Sequence, residues 1–422
     1  MGKAVFFNLP GAVGHINPSL GIVAELISRG EEVIYYADEK SRQKIEALGA
    51  TFRGYQPFFE YDHPTEIASD LVALGSKLFE LTESCVLGLL QQMQEDKPDY
   101  IIYDTCAPWG QLLAMRLNVP GVRFVTHVLV TPTVLKSVKH WFSFKLFRMV
   151  GKSTRLSSVI SIIPEIIGAR RRIADIVTGL GMEYPGIFPL LKQLLDDKEQ
   201  LTIAVTSPLY QPEAEKLGDN VKFVGASVPE KRDNDSLDIH RQPGQPLIYV
   251  SLGSVHNMCT DFYVNCIRAF GDRPYQVIMS IGDRTDIKQL GPIPENFTVK
   301  ARVPQLDVLQ TADAFVSHGG MNSINESLYY NVPLVMVPQQ VEQAFSALRI
   351  SRLGAGVMLM PNMATPERLR QSVDEILSKP DYRESSKELG ASLKIGGYQR
   401  AADEILYHMY GGNSTTSATK VA

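Results

Sequence analysis

The chain opens on a short apolar run, Ala4–Leu9, followed by a loop containing Pro10, Gly11 and Gly14. Beyond it, Leu20, Val23, Ala24 and Ile27 recur at helical spacing, which predicts a helix over Pro18–Arg29 ended by Gly30. Glu32–Ala37 then reads as a buried strand, and the runs Asp99–Tyr103 and Val122–Thr126 flank a predicted helix at Trp109–Leu117. Strands that are apolar at nearly every position are covered on both faces. Alternating with amphipathic helices, they predict an α/β domain with a parallel sheet between two helix layers.

That rhythm weakens between 55 and 95 and again between 130 and 200, where insertions are expected to shape a substrate pocket. Residues 207–245 are polar, with Pro208, Pro212, Pro229, Pro243 and the charge run Glu230–Asp235, and read as an interdomain linker. The rhythm then restarts. Strands are predicted at Leu247–Leu252, Gln276–Ile281, Phe297–Val299, Ala314–Ser317 and Leu334–Val337, with helices at Asp261–Phe270, Met321–Tyr329, Thr365–Leu377 and Gln399–Tyr410. The layout expected is a first α/β domain over 1–206, a linker over 207–245, a second α/β domain over 246–390, a closing helix within 391–412 and a disordered tail over 413–422. Two such halves place a ligand cleft between them, at the carboxyl ends of the strands.

Composition narrows the function classes. At about 150 residues per domain, 422 residues fit two or three domains. Forty-two Lys and Arg against 46 Asp and Glu give a net charge of −4, without the basic footprint of a nucleic-acid-coating protein. Cys85, Cys106, Cys259 and Cys266 form no CxxC pair, which fits a reducing compartment. The apolar start is too short for a signal-peptide core, and no apolar run approaches the roughly 18 residues of a membrane span. A soluble cytoplasmic enzyme is expected, with no nucleic-acid partner and no stable membrane insertion; the oligomeric state stays open.

Candidate chemistry concentrates at three places. The loop Leu9–Pro18 lacks the GxGxxG of a dinucleotide site but puts His15 at the carboxyl end of the first strand, beside a helix start. Asp104 ends a second strand at the same rim. An aspartate accepting from one imidazole nitrogen fixes the tautomer and leaves the other nitrogen to take a proton. No GxSxG elbow accompanies the pair, which favours deprotonation of an external acceptor over covalent catalysis. Asp104 is also placed to cap the following helix.

The densest cluster is Phe315–Glu326, in which a strand runs through His318, Gly319 and Gly320 into a helix bearing Asn322, Ser323 and Glu326. Backbone N–H groups at such a helix start bind phosphate, and the polar side chains add hydrogen bonds. Glu326, one turn beyond Asn322, is suited to ribose hydroxyls. Ser254 closes the first strand of the second half. The one Asp-x-Asp, Asp233–Asp235, lies in the polar linker and reads as a solvated charge run, so no metal site is expected.

Gly14–Pro18, Val303-Pro304-Gln305, His318–Ser323 with Glu326, and Val332–Val335 with Pro338-Gln339 and Glu342-Gln343 together resemble the UDP-glycosyltransferases, most of all their bacterial macrolide-glycosyltransferase-like branch. The resemblance implies a GT-B fold, two Rossmann-like domains facing across a cleft, with the final helix crossing back onto the first. It implies an inverting, metal-independent transfer of a hexose, glucose being the expectation, from a UDP-sugar co-substrate to a hydroxyl of a small hydrophobic acceptor such as a phenolic, flavonoid or macrolide. His15 would be the base and Asp104 its holder. His318, Gly320, Asn322 and Ser323 would contact the diphosphate with Ser254, Glu326 the ribose, Arg302, Val303 and Gln305 the base, and Glu342 and Gln343 the sugar.

Two positions depart from the family's common pattern: Arg302 stands where many members stack a tryptophan on uracil, and Glu342 where many carry Asp. Phe58, Phe59, Tyr61, Trp141, Phe142, Phe144 and Phe147 are candidates for an apolar acceptor pocket, and equally for ordinary core. Rival readings are a GT-B epimerase or phosphorylase, and a nucleotide-sugar-binding protein without turnover.

Overall fold

The computed structural model describes residues 1–56, 71–129, 171–184, 200–229, 243–253 and 257–411, with a few isolated positions between them. The expectations for Phe58, Phe59, Tyr61, Trp141, Phe142, Phe144, Phe147, Ser254 and 413–422 fall outside the described residues.

Seven strands make the first sheet: β1 (Lys3–Phe7), β2 (Glu32–Ala37), β3 (Thr51–Gly54), β4 (Tyr100–Asp104), β5 (Gly121–Val125), β6 (Leu201–Ala204) and β7 (Val221–Phe223). They are ordered β3-β2-β1-β4-β5-β6-β7, and every pairing is parallel. Successive side chains of a strand point to opposite faces. Ala4 and Phe6 therefore enter one core with Ile22, Val23 and Leu26 of α1 (Val13–Ser28). Val5 and Phe7 enter another with Leu81, Val86 and Leu89 of α3 (Leu71–Asp96) and Trp109 and Leu113 of α4 (Pro108–Leu117). A short helix, α2 (Arg42–Glu46), lies between β2 and β3.

The second sheet has six strands: β8 (Leu247–Ser251), β9 (Gln276–Ser280), β10 (Phe297–Lys300), β11 (Ala314–Ser317), β12 (Leu334–Met336) and β13 (Gly356–Met358). Their order is β10-β9-β8-β11-β12-β13, again all parallel. One face packs against α5 (Thr260–Phe270) and α9 (Pro366–Ser378). The other meets α6 (Gln305–Thr311), α7 (Met321–Tyr329), α8 (Val341–Arg352) and α10 (Pro380–Leu393).

The last helix, α11 (Gly397–Tyr410), returns to the first domain, where Ala401, Ala402 and Ile405 join the core beneath α1. Gly397 N–H donates to Val224 O at 2.7 Å, and Tyr410 Oη donates to the buried Glu31 carboxylate at 2.8 Å.

The structure corrects two boundaries. The predicted linker over 207–245 contains β7, which pairs with β6 in the first sheet. Val221, Lys222 and Phe223 are each only half-buried, the burial of a three-residue edge strand, so no apolar run marks them. The first helix starts at Val13 rather than Pro18, which makes Pro18 an interior residue.

Candidate active site

Both sheets reverse their strand order at one place. The chain leaves β1 toward β2 and β3 and returns on the other side at β4; it leaves β8 toward β9 and β10 and returns at β11. Loops diverge at such a switch point and open a crevice at the strands' carboxyl ends. Among the described residues, His15 and Asp104 lie at the first crevice, and Gln305, His318, Gly320, Asn322, Ser323 and Glu326 at the second.

In the first, His15 lies in the opening turn of α1 and Asp104 is the last residue of β4. His15 Nδ1 is 2.8 Å from Asp104 Oδ2, and Thr126 Oγ1 lies 3.0 Å from the same nitrogen. Asp104 Oδ1 accepts from the Cys106 backbone N–H at 2.7 Å. The carboxylate is fully buried, whereas the imidazole side chain keeps 23% of its surface in solvent. With Nδ1 protonated toward Asp104, Nε2 is the basic nitrogen.

Burial alone would lower the imidazole's pKa. The adjacent Asp104 charge, its hydrogen bond and the charge of Glu342 outweigh that and raise it above 6.5. Burial pushes the Asp104 carboxyl up, but His15, the Cys106 N–H and the charge of His127 leave it below its ordinary value. The pair is thus a strengthened base held by an ionised acid. Asp104 does not supply a side-chain cap to α4; Ala107 occupies the cap position.

His15, Asp104 and Cys106 bring a nitrogen, an oxygen and a sulfur within 4.8 Å of one another. Burial, with Asp104 and Glu342 nearby, holds the Cys106 thiol well above its ordinary range. Both Asp104 oxygens already accept hydrogen bonds. The four cysteines are free thiols.

Sequence reasoning passed over Thr126 and His127, which follow β5 at the same rim. His127 Nδ1 lies 2.9 Å from Val128 O and Nε2 3.0 Å from Thr105 Oγ1, whose own proton goes to Phe124 O. Its ring lies 6.4 Å from that of His15. The position of Thr126 just past a strand's carboxyl end, as for His15, was the available signal.

In the second crevice, Ser251 and Ser317 are register partners on β8 and β11. Each hydroxyl accepts the N–H two residues on, from Gly253 and Gly319, both at 3.2 Å. His318 sits between two glycines: a Cβ at Gly253 would lie 2.7 Å from its Cε1, and one at Gly320 would overlap its Nε2. Gly253 and Gly319 also have φ of +76° and +79°, a region that disfavours a side chain. Gly320 then caps α7, whose opening N–H groups face the crevice without a side-chain cap.

Glu326 on α7 is fully buried. Its Oε1 accepts from Asn322 Nδ2 at 2.7 Å and its Oε2 from Gln305 Nε2 at 2.5 Å. Tyr249, a residue not foreseen, donates to Gln305 Oε1 at 3.1 Å. Ser323 is buried alongside. Gln343 is buried and its Oε1 accepts from Gln339 N–H at 2.8 Å, while Glu342 is exposed. Val303 packs partly buried on the core. The Arg302 guanidinium pairs with Asp283, with Nε 2.8 Å from Oδ2, and its side chain is 82% exposed.

The crevices share one cleft. The Glu342 charge reaches His15 across it. Behind it, Asn325 Nδ2 on α7 donates to Val205 O at 2.9 Å, and Thr206 Oγ1 donates to Asn325 Oδ1 at 3.2 Å. Among the described residues, no helix is long and apolar enough to cross a membrane.

Residues 266–394 match the family model of the erythromycin biosynthesis protein CIII-like C-terminal domain. NDP-glycosyltransferase YjiC of Bacillus subtilis (strain 168) is 34% identical over 403 residues, covering 94% of this chain and 95% of that protein. The uncharacterized UDP-glucosyltransferase YojK of the same organism is 30% identical over 411 residues, covering 96% and 97%. Among solved structures, the glycosyltransferase of kitacinnamycin superposes with a TM-score of 0.80 at 27% identity, covering 96% of this chain and 98% of that one. With two parallel-sheet domains in the GT-B arrangement and full-length relatives of this kind, the chain belongs to the UDP-glycosyltransferases, in their macrolide-glycosyltransferase-like branch, and is an enzyme that transfers a sugar from a nucleotide sugar.

Proposed function

We propose that the protein is an inverting, metal-independent glycosyltransferase that moves a hexose, glucose in the first instance, from a UDP-sugar to a hydroxyl of a small hydrophobic natural product. The observation that carries this reading is the His15–Asp104 pair at 2.8 Å, a base with a fixed tautomer at the mouth of the cleft. His15 Nε2 takes the acceptor's hydroxyl proton as the oxygen attacks the anomeric carbon. The bond from that carbon to the diphosphate oxygen breaks, and UDP departs with the electron pair. A single displacement inverts the anomeric centre. The α7 N-terminus, His318, Asn322 and Ser323 receive the diphosphate, so backbone dipoles and neutral donors carry the leaving charge. Gln305, Glu326, Glu342 and Gln343 hold the nucleoside and sugar. YojK's name supports UDP-glucose, and the erythromycin and kitacinnamycin proteins support natural-product acceptors.

The test is UDP release from UDP-glucose with EDTA present, across phenolic and macrocyclic acceptors, with NMR of the product's anomeric configuration. Acceptor-dependent release that vanishes in His15→Ala, with inverted product, is expected. Release that requires a divalent cation, or that persists in His15→Ala, refutes the mechanism.

A further inference from the structure

The first turn of α1 carries the base, yet little in its own sequence fixes it. Its N-cap is Ala12, which offers no capping side chain. Pro18 lies inside the helix, where it lacks the N–H that would close on the Gly14 carbonyl. Beneath this turn runs a chain of fully buried polar groups from three elements. Ser19 Oγ donates to Ile16 O at 2.7 Å. Its proton being used, Ser19 Oγ accepts from Tyr35 Oη at 2.6 Å. Tyr35 Oη in turn accepts from Asn8 Nδ2 at 2.8 Å. The second Asn8 Nδ2 proton goes to His15 O at 3.2 Å, and Asn8 Oδ1 accepts from Leu9 N–H at 2.7 Å. Tyr55 Oη donates to Asn8 O at 2.7 Å, locking Asn8 itself.

Asn8 Nδ2 also lies 3.5 Å from Ser19 Oγ, its longest contact, and the two branches of the chain end on the backbone of the turn, at His15 and Ile16. We infer that Asn8 is a positioning residue for His15: its carboxamide, at the end of β1 and relayed through Tyr35 and Ser19, sets the height and rotation of the turn so that Nδ1 meets Asp104. The inference rests on the reading of His15 as the base. A buried network with every member satisfied specifies one geometry, whereas a broken one lets the turn relax. Catalysis is sensitive to such relaxation, since a displacement of about 1 Å costs on the order of 100-fold in rate.

The experiment compares wild-type protein with Asn8→Leu, Tyr35→Phe and Ser19→Ala, the last two keeping the helix and the Tyr35 ring, which stacks on Phe6 at 4.9 Å. The His15 imidazole is titrated by NMR in each, beside kcat and UDP affinity. The expected result is a His15 titration moved down toward 6.5 from its raised value. A kcat lower by about 10- to 100-fold should accompany it, with UDP affinity within about twofold, a change too small to count as lost binding. Folded variants with unchanged titration and kcat, even if less stable, would overturn it. If Asn8→Leu does not fold, the same criterion applies to Tyr35→Phe and Ser19→Ala. Persistence of transfer in His15→Ala would instead sink the base assignment, and the NMR titration would still report on Asn8.

Discussion

Replacing Asp104 by Asn keeps size and shape but should reverse the proton on His15. The structure dictates how the new amide must sit. The atom at Oδ1 accepts from the Cys106 N–H at 2.7 Å, so it must remain an oxygen. The NH2 then occupies the Oδ2 place, 2.8 Å from His15 Nδ1, and donates to it. Nδ1 becomes an acceptor, the proton moves to Nε2, and the nitrogen facing the acceptor hydroxyl is no longer a base. Wrong-tautomer substitutions of this type cost roughly 10⁴ in kcat in serine-protease triads. A fall of about 10³- to 10⁴-fold is expected here, with UDP affinity within about twofold because the exchange lies in the other domain's crevice.

The same variant carries a stability signature. The raised His15 value means stability that is fully present below 6.5 and lost as pH rises through the folded value; the lowered Asp104 value means stability present above 3.8 and lost as pH falls through its folded value. The gap between wild type and Asp104→Asn in urea unfolding should therefore be wide near pH 5 and narrow by about pH 9. Activity within tenfold of wild type, or a gap that widens with pH, would refute the pairing.

Three further outcomes follow from the second crevice and the domain contact. Gly320→Ala keeps a backbone of φ −66° and ψ 142° that alanine accepts, yet its Cβ overlaps His318 Nε2, so donor affinity should fall about tenfold or more by calorimetry with the melting temperature nearly unchanged. Glu326→Gln leaves one of the Asn322 and Gln305 amides facing another NH2; the donor KM should rise about 10-fold or more, as for loss of a charged hydrogen bond, with kcat nearly kept. Asn325→Leu strands Val205 O and the Thr206 hydroxyl and should cost about 1–3 kcal/mol in denaturant unfolding.

What the sequence made legible follows burial. β2 and β11 match their predicted limits because each is a buried apolar run bounded by polar or glycine residues. The strands that escaped, β3, β6, β7 and β13, have only three or four residues; three of them lie at a sheet edge and β6 next to one. Helix α8 escapes for another reason: its apolar face, Ala344, Ala347 and Ile350, is made of small or scattered residues. Pro18 points to a later start because proline favours a helix's first turn, whereas α1 begins at Val13 and takes Pro18 into its interior.

The candidate site was legible for a topological reason. His15 and Asp104 are 89 residues apart, and periodicity says nothing of their meeting. What brings them together is that β4 returns beside β1 rather than beside β3, which puts the two strand ends next to each other. The same reversal at β8 and β11 aligns Ser251 with Ser317 and closes Gly253 and Gly320 around His318. One rule, applied once per sheet, locates both halves of the chemistry. It does not assign roles to Tyr249 or Asn8, because these act through hydroxyl and amide protons whose direction is set only when neighbouring groups have claimed theirs. For that reason the residues that position a base are harder to read than the base itself. The base needs a place on a rim, whereas its supports need an entire hydrogen-bond chain to be satisfied at once.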